Sequence, residues 1–228
     1  MGKELLSQSD KLIQLQSEFG LDNFNIHTQE VDIPDIYILR NGDPAWAQIN
    51  MPLGLNPQGK EWMAVRALTR ILANVGKKNM TEDRLNGLNG QNLFAEKVAS
   101  YYFKPPSMET DRLRRWKDIL DMRDWNIDID VIPDIPFSGN LNPSGCHENK
   151  ASIVMAPNDE LLAKGVKPEQ VLVWGLLGAQ VAKDSMRMDI NMPEVALSFF
   201  AKALVERHDY AKGNSLPMSF VYQGGVAA

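Results

Sequence analysis

The sequence predicts an α+β fold in two tandem copies of one helix–strand–strand–helix–helix unit. Three observations carry that expectation. Short blocks recur in one order at a spacing of about a hundred residues, the mark of an internal duplication. Alternating apolar residues and helix-spaced apolar residues follow each other in the same sequence within each copy. A proline-containing join, Lys104-Pro105-Pro106-Ser107, separates the copies and stiffens the chain where a helix must stop.

The recurring blocks are specific. Phe24-Asn25-Ile26 is followed by Ile33-Pro34-Asp35-Ile36, and Trp125-Asn126-Ile127 by Ile132-Pro133-Asp134-Ile135. Ala47-Gln48-Ile49-Asn50-Met51-Pro52 is echoed by Ala151-Ser152-Ile153-Val154-Met155-Ala156-Pro157. Glu61 with Val65 and Leu68 is matched by Glu169 with Val173 and Leu176. The expected organisation is therefore repeat one over 1–104, a linker at 105–107, repeat two over 108–212 and a loose tail over 213–228.

The elements follow in order. Leu5 to Phe19 and Asp111 to Met122 are expected as leading helices. Trp125–Val131 alternates as a strand with one buried face does, and the Asn140–Gly145 stretch reads as a turn. The second strand, Ala151–Met155, leads through a loop to a central helix. In copy one that helix is apolar at Val65, Leu68, Ile71, Leu72 and Val75, on one face. Final helices are expected over Leu93–Phe103 and Glu194–Arg207.

Composition narrows the function. The 228 residues are 44% hydrophobic with net charge −5, enough to build cores and mildly unfavourable for coating duplex DNA. No apolar run is long enough to cross a bilayer, so no membrane partner is expected. The opening Met1-Gly2-Lys3-Glu4-Leu5-Leu6 lacks the layout of a secretory signal. The lone Cys146 suits a reducing compartment. A cytoplasmic protein is the expectation.

Copy two resembles the small zinc metallopeptidases of the SprT-like and phage-encoded type, a zincin fold. The residues that carry the resemblance are Asp124-Trp125-Asn126-Ile127-Asp128-Ile129, Cys146-His147-Glu148, Ala151-Ser152-Ile153-Val154-Met155 and Glu169-Gln170-Val171-Leu172-Val173. It spans roughly residues 110–207 and extends more faintly to copy one. It implies a His-Glu-x-x-His motif on the central helix, two imidazoles on one zinc with a glutamate to activate water. Here those positions read Trp174-Gly175-Leu176-Leu177-Gly178 in copy two and Arg66-Ala67-Leu68-Thr69-Arg70 in copy one. Tryptophan and glycine side chains offer zinc no ligand, and a guanidinium stays protonated. The resemblance thus implies degenerate metallopeptidase units, a non-enzyme without metal or cofactor, encoded by a phage or mobile element and working in the host cytoplasm.

Other chemistry finds little support. Glu96 reads either as a leftover third ligand or as a surface residue, and Cys146 and His147 as neighbours in a turn. No Gly-x-Ser-x-Gly elbow or phosphate-cradling loop is present. Gly175 and Gly178 each cost a helix about 1 kcal/mol. Either something packs close there, Trp174 filling the vacated hollow or another helix crossing the glycines, or the motif simply drifted.

Three clusters are candidates for binding. Arg66 and Arg70, one turn apart, either line a basic cleft or form a solvated face paired with acids. Arg112, Arg114, Arg115, Trp116 and Lys117 would grip single-stranded nucleic acid through phosphates and stacking. Yet Leu113, Trp116 and Leu120 also have core-facing spacing. Phe94, Tyr101, Tyr102 and Phe103 read mainly as core, and Met186, Met188, Met192 and Met218 suit an adaptable interface. The leading expectation is an adaptor whose partner is another protein. The alternative is a single-stranded nucleic-acid-binding accessory factor in transcription or replication, and a third class is an enzyme with an unrelated site.

Overall fold

A computed structural model describes residues 8–32, 35–39, 45–74, 83–84, 89–104, 107, 109–185 and 194–213. Leu5, Ile33, Pro34, Val75, Pro105, Pro106, the methionines Met186, Met188, Met192 and Met218, and the tail over 214–228 lie outside the described residues. The fold is mixed α/β, with seven α-helices and two small sheets among the described residues. Two compact units comprise Met1–Ala99 with Asp184–Lys202, and Ser100–Lys183 with Ala203–Ala228.

Unit one runs α1 (Gln8–Glu18), β1 (Phe24–Val31), β2 (Asp35–Leu39), β3 (Ala45–Pro52), α2 (Pro57–Asn74), the two-residue β4 (Asp83–Arg84) and α3 (Asn89–Phe103), whose residues from Ser100 onward belong to unit two. Gly20 ends the leading helix with φ of 65°, a backbone state open to glycine, and the Phe199 ring occupies the space where a Cβ would sit. Asn56 caps α2 by accepting from the Gly59 amide at 2.7 Å, and Pro57 takes the first position, where no amide partner is needed. The sheet order is β1-β3-β2-β4. Ile49, Leu68, Ile71 and Phe94 are buried beneath it with Phe19 and Phe200, whose rings meet edge-on at 6.2 Å.

Unit two runs α4 (Arg112–Ile119), β5 (Asn126–Val131), β6 (Gly139–Asn142), a 3-10 turn (Cys146–Glu148), β7 (Lys150–Met155), α5 (Asn158–Ala163) and α6 (Pro168–Ser185). The last helix is α7 (Glu194–Gly213), and residues from Ala203 onward belong to this unit. Asp111 caps α4 by accepting from the Arg114 amide at 2.8 Å. Trp116, Leu120, Ile153, Leu176, Leu177 and Leu204 are fully buried in its core.

The strand count corrects the sequence reading. Three strands rather than two precede each central helix, because β2 and β6 each run antiparallel along the third strand of their unit. The expected Asn140–Gly145 turn is in part strand β6, and the expected loop before α6 contains α5. Gly139 opens β6 because Val171 of α6 fills the place of a Cβ there.

The two sheets share order and sense: first strand, third strand, second strand, with the first pair parallel and the second antiparallel. Their registers also agree. Ile26 pairs with Ala47 as Ile127 pairs with Ala151, and Thr28 with Ile49 as Ile129 with Ile153. Since a one-residue slip would turn every side chain to the opposite face, the first and third strands matched in sequence hold the same register in both sheets. The Ile-Pro-Asp-Ile blocks do not correspond: Asp35 and Ile36 lie in β2, where Ile36 pairs with Ile49, whereas Asp134 and Ile135 precede β6, in which Leu141 pairs with Ile153.

Candidate functional site

The central helices come first, because the resemblance places chemistry there. In α2 and α6, Arg66 and Trp174 are half-buried, while the residues around them are core. Ala67 and Leu68 are fully buried, Thr69 is 1% exposed and Arg70 2%. The Thr69 hydroxyl donates back to the Val65 carbonyl at 2.8 Å, a local bond that spares the buried hydroxyl a partner elsewhere. Arg70 lies in the core rather than on a surface cleft. Arg66 donates through Nη2 to Glu96 Oε1 at 3.1 Å, and its guanidinium stands 6.0 Å from the Trp62 ring centre. The arginine at the first expected ligand position is thus bonded to the glutamate read as a possible third ligand.

In unit two, Gly175 and Gly178 face the core. The neighbour at Gly175 is a strand side chain, not the crossing helix allowed for in the sequence. A Cβ at Gly175 would lie 2.7 Å from Ile153 Cδ1 and 2.9 Å from Cγ1. Gly175→Ala is therefore expected to destabilise by about 1–3 kcal/mol through overpacking, against a helix-propensity gain of about 1 kcal/mol. In an Ile153→Ala background the obstruction is gone, so the same change should become stabilising. Urea unfolding of the unsubstituted protein, the two single variants and the double variant checks the sign reversal.

The basic run on α4 is largely occupied. Arg112 Nε meets Glu169 Oε1 at 3.1 Å and Arg115 Nη2 meets the same oxygen at 3.8 Å. Lys117 donates to the Trp125 carbonyl. Arg114 alone of the four cations is exposed with no ion pair among the described residues. It lines an open polar groove beside Lys104, Asp118, Asp121, Arg123 and Asp124. A hydrogen bond from Ser107, with the adjacent Arg123 and Lys104, holds the Asp118 carboxyl below its ordinary pKa against the opposing effect of burial.

Trp116 is fully buried, so no base can stack on it. Its ring meets His208 edge-on at 5.6 Å and 86°. His208 Nε2 lies 2.9 Å from the Tyr101 carbonyl, while Gln180 Nε2 donates to the Leu120 carbonyl at 2.6 Å and to the Tyr101 hydroxyl at 3.1 Å. Burial, with Arg207 and Arg115 nearby, lowers the His208 pKa to about 4 despite the Tyr101 bond. The site is a structural polar network within unit two, tying α6 and α7 to Tyr101 in the last turn of α3 and to Leu120 just past α4.

No family model, curated protein or solved structure matches the chain.

Phe94, Tyr101 and Tyr102 are buried, whereas Phe103 is half-buried. Cys146 is buried, its thiol pKa raised by desolvation, and His147 is exposed beside Glu148 at 3.5 Å. Among the described residues, no three His, Cys, Asp or Glu side chains converge as metal ligands do, and no helix is long and apolar enough to cross a membrane. Two features were missed in the sequence. One is an open groove of about 510 Å³ in unit one, with Leu15, Ile26 and Met51 in its walls and the Lys11–Glu61 pair at its rim. The other is an exposed apolar surface on unit two whose Ile-Pro-Asp-Ile block had registered only as a repeat marker.

Proposed function

We propose that the protein is a non-catalytic adaptor built on two diverged copies of a metallopeptidase-like unit and acting through contacts with another protein. Matching sheet order and register in the two units support the common origin. The observation that carries the reading is positive: in both units the helix positions where the resemblance puts catalysis pack the core or pair internally. Gly175 takes the Ile153 side chain, and Arg66 takes Glu96. A helix face so used has exchanged reactivity for stability of the scaffold.

Affinity capture of the full chain in its native host, with and without nuclease, tests the reading. A protein partner retained after nuclease treatment is expected. Recovery that vanishes with nuclease would overturn the adaptor reading in favour of nucleic-acid binding. The latter draws little from the geometry, since Arg112, Arg115 and Lys117 are occupied and Arg114 stands in a groove whose cations Lys104 and Arg123 are paired with Asp121 and Asp118. Binding of a single-stranded oligonucleotide that weakens with salt and is lost in Arg114→Glu would point the same way. Arg114 suits this purpose better than Arg115, which is only 8% exposed.

A further inference from the structure

Four large apolar side chains on neighbouring segments of unit two stand in solvent: Val131 at 57% exposure, Ile132 at 44%, Phe137 at 41% and Leu162 at 61%. Local bonding holds those segments against each other. Ile132 donates its amide to the Met155 carbonyl at 3.0 Å, at the end of β7. Asp134 donates its amide to Glu160 Oε1 on α5 at 3.3 Å, and Lys164 Nζ lies 3.5 Å from the Ile135 carbonyl. The loop 132–137 thus lies beside α5, over a small cluster of Met155, Ala156, Leu161 and Val171 into which Ile135 packs.

This loop is stiff. Pro133 and Pro136 fix two backbone angles, and Asp134 holds a left-handed φ of 59°, a state that costs a non-glycine residue free energy. A stiff loop displaying apolar side chains loses little entropy on binding. A concentrated apolar patch on a polar surface marks an interaction site.

Charge identifies the occupant. Asp134 on the loop and Asp159 on α5 are exposed and Glu160 is half-buried beside the Asp134 amide, with Lys164 as the cation bonded to the loop. An apolar centre inside an acidic rim complements an apolar segment flanked by lysine or arginine. We propose that the surface formed by Val131, Ile132, Phe137 and Leu162 docks an amphipathic, basic polypeptide segment of another protein. The proposal rests on the adaptor reading and names the chemistry of its partner.

The test uses the full chain and two synthetic amphipathic peptides with the same leucine face, one with lysine and one with glutamate on the polar face. Fluorescence anisotropy should show salt-sensitive binding of the leucine–lysine peptide and none of the leucine–glutamate peptide. Phe137→Ser and Leu162→Ser should each weaken it by about tenfold or more, with circular dichroism confirming that the variants fold. Equal binding of both peptides, or binding unchanged by either substitution, would overturn the proposal. Sedimentation supplies another arm: a dimer that Phe137→Ser converts to monomer would mean that a second copy covers the patch, which also overturns it. A negative peptide result beside a nuclease-resistant partner in the capture experiment would remove this surface while leaving the adaptor reading standing.

Discussion

Trp116→Ala is expected to lower the stability of the chain by about 3–5 kcal/mol, the usual cost of emptying a large aromatic site in a packed core. The indole is fully buried beneath His208, so its removal leaves a cavity that neighbouring side chains fill only in part. The cost is a large share of a domain's total stability, and chemical denaturation will read it as a shift in midpoint. Trp116→Phe keeps most of the volume and should recover much of the loss. The result also separates two roles for the Arg112–Lys117 run. A tryptophan that stacked on bases would stand in solvent, and its loss would weaken oligonucleotide binding while leaving the unfolding midpoint nearly unchanged. Stability rather than binding should respond here.

Acid should weaken the protein through His208. Its ring is held neutral with a pKa near 4, against the ordinary 6.5. The depressed value fixes the sign: between pH 6.5 and 4 the unfolded chain takes up a proton that the folded chain refuses, so unfolding gains. The contribution is complete above 6.5, declines as the pH falls through that window, and is lost below 4. At 1.36 kcal/mol per unit the full swing is about 3 kcal/mol. His208→Gln keeps a donor for the Tyr101 carbonyl and removes the titration. Urea midpoints of both proteins across the window should therefore converge toward acid, while the carboxylates common to both contribute equally. Parallel curves would mean that His208 is not the acid-sensitive group.

How much of this was legible in the sequence depends on the range of the interaction concerned. The blocks around Ile26, Ala47, Ile127 and Ala151 marked the paired strands because burial of one sheet face leaves an alternating pattern in the chain. Strand β6 was illegible for a complementary reason. Gly139-Asn140-Leu141-Asn142 has the composition of a turn, and its extended state is imposed by pairing along β7. The α4 helix stood out through the apolar spacing of Leu113, Trp116 and Leu120, while the pairing of its cations did not. That Arg112 and Arg115 share Glu169 is a contact between residues far apart in the chain, which a charge run alone cannot announce. Arg70 carries the same lesson: spacing put it on one face with Arg66, but nothing local told that the face is buried. The patch around Phe137 was hidden by a converse ambiguity, since exposed and buried leucines, isoleucines and phenylalanines look alike in a sequence.

Among the described residues, the parallel pairing that places β5 against β7 leaves β5 at the outer margin of its sheet. Its residues run Ile127-Asp128-Ile129-Asp130-Val131, and Asp128 and Asp130 are exposed along that margin. Two like strands meeting there would bring four carboxylates together, a repulsion that keeps the edge from becoming a template for fibrils. Were both aspartates valine, the same five residues would form an uncharged, β-branched run of the sort that stacks into cross-β ribbons. The acidity of this short strand thus disfavours pairing with a second copy of itself along that edge.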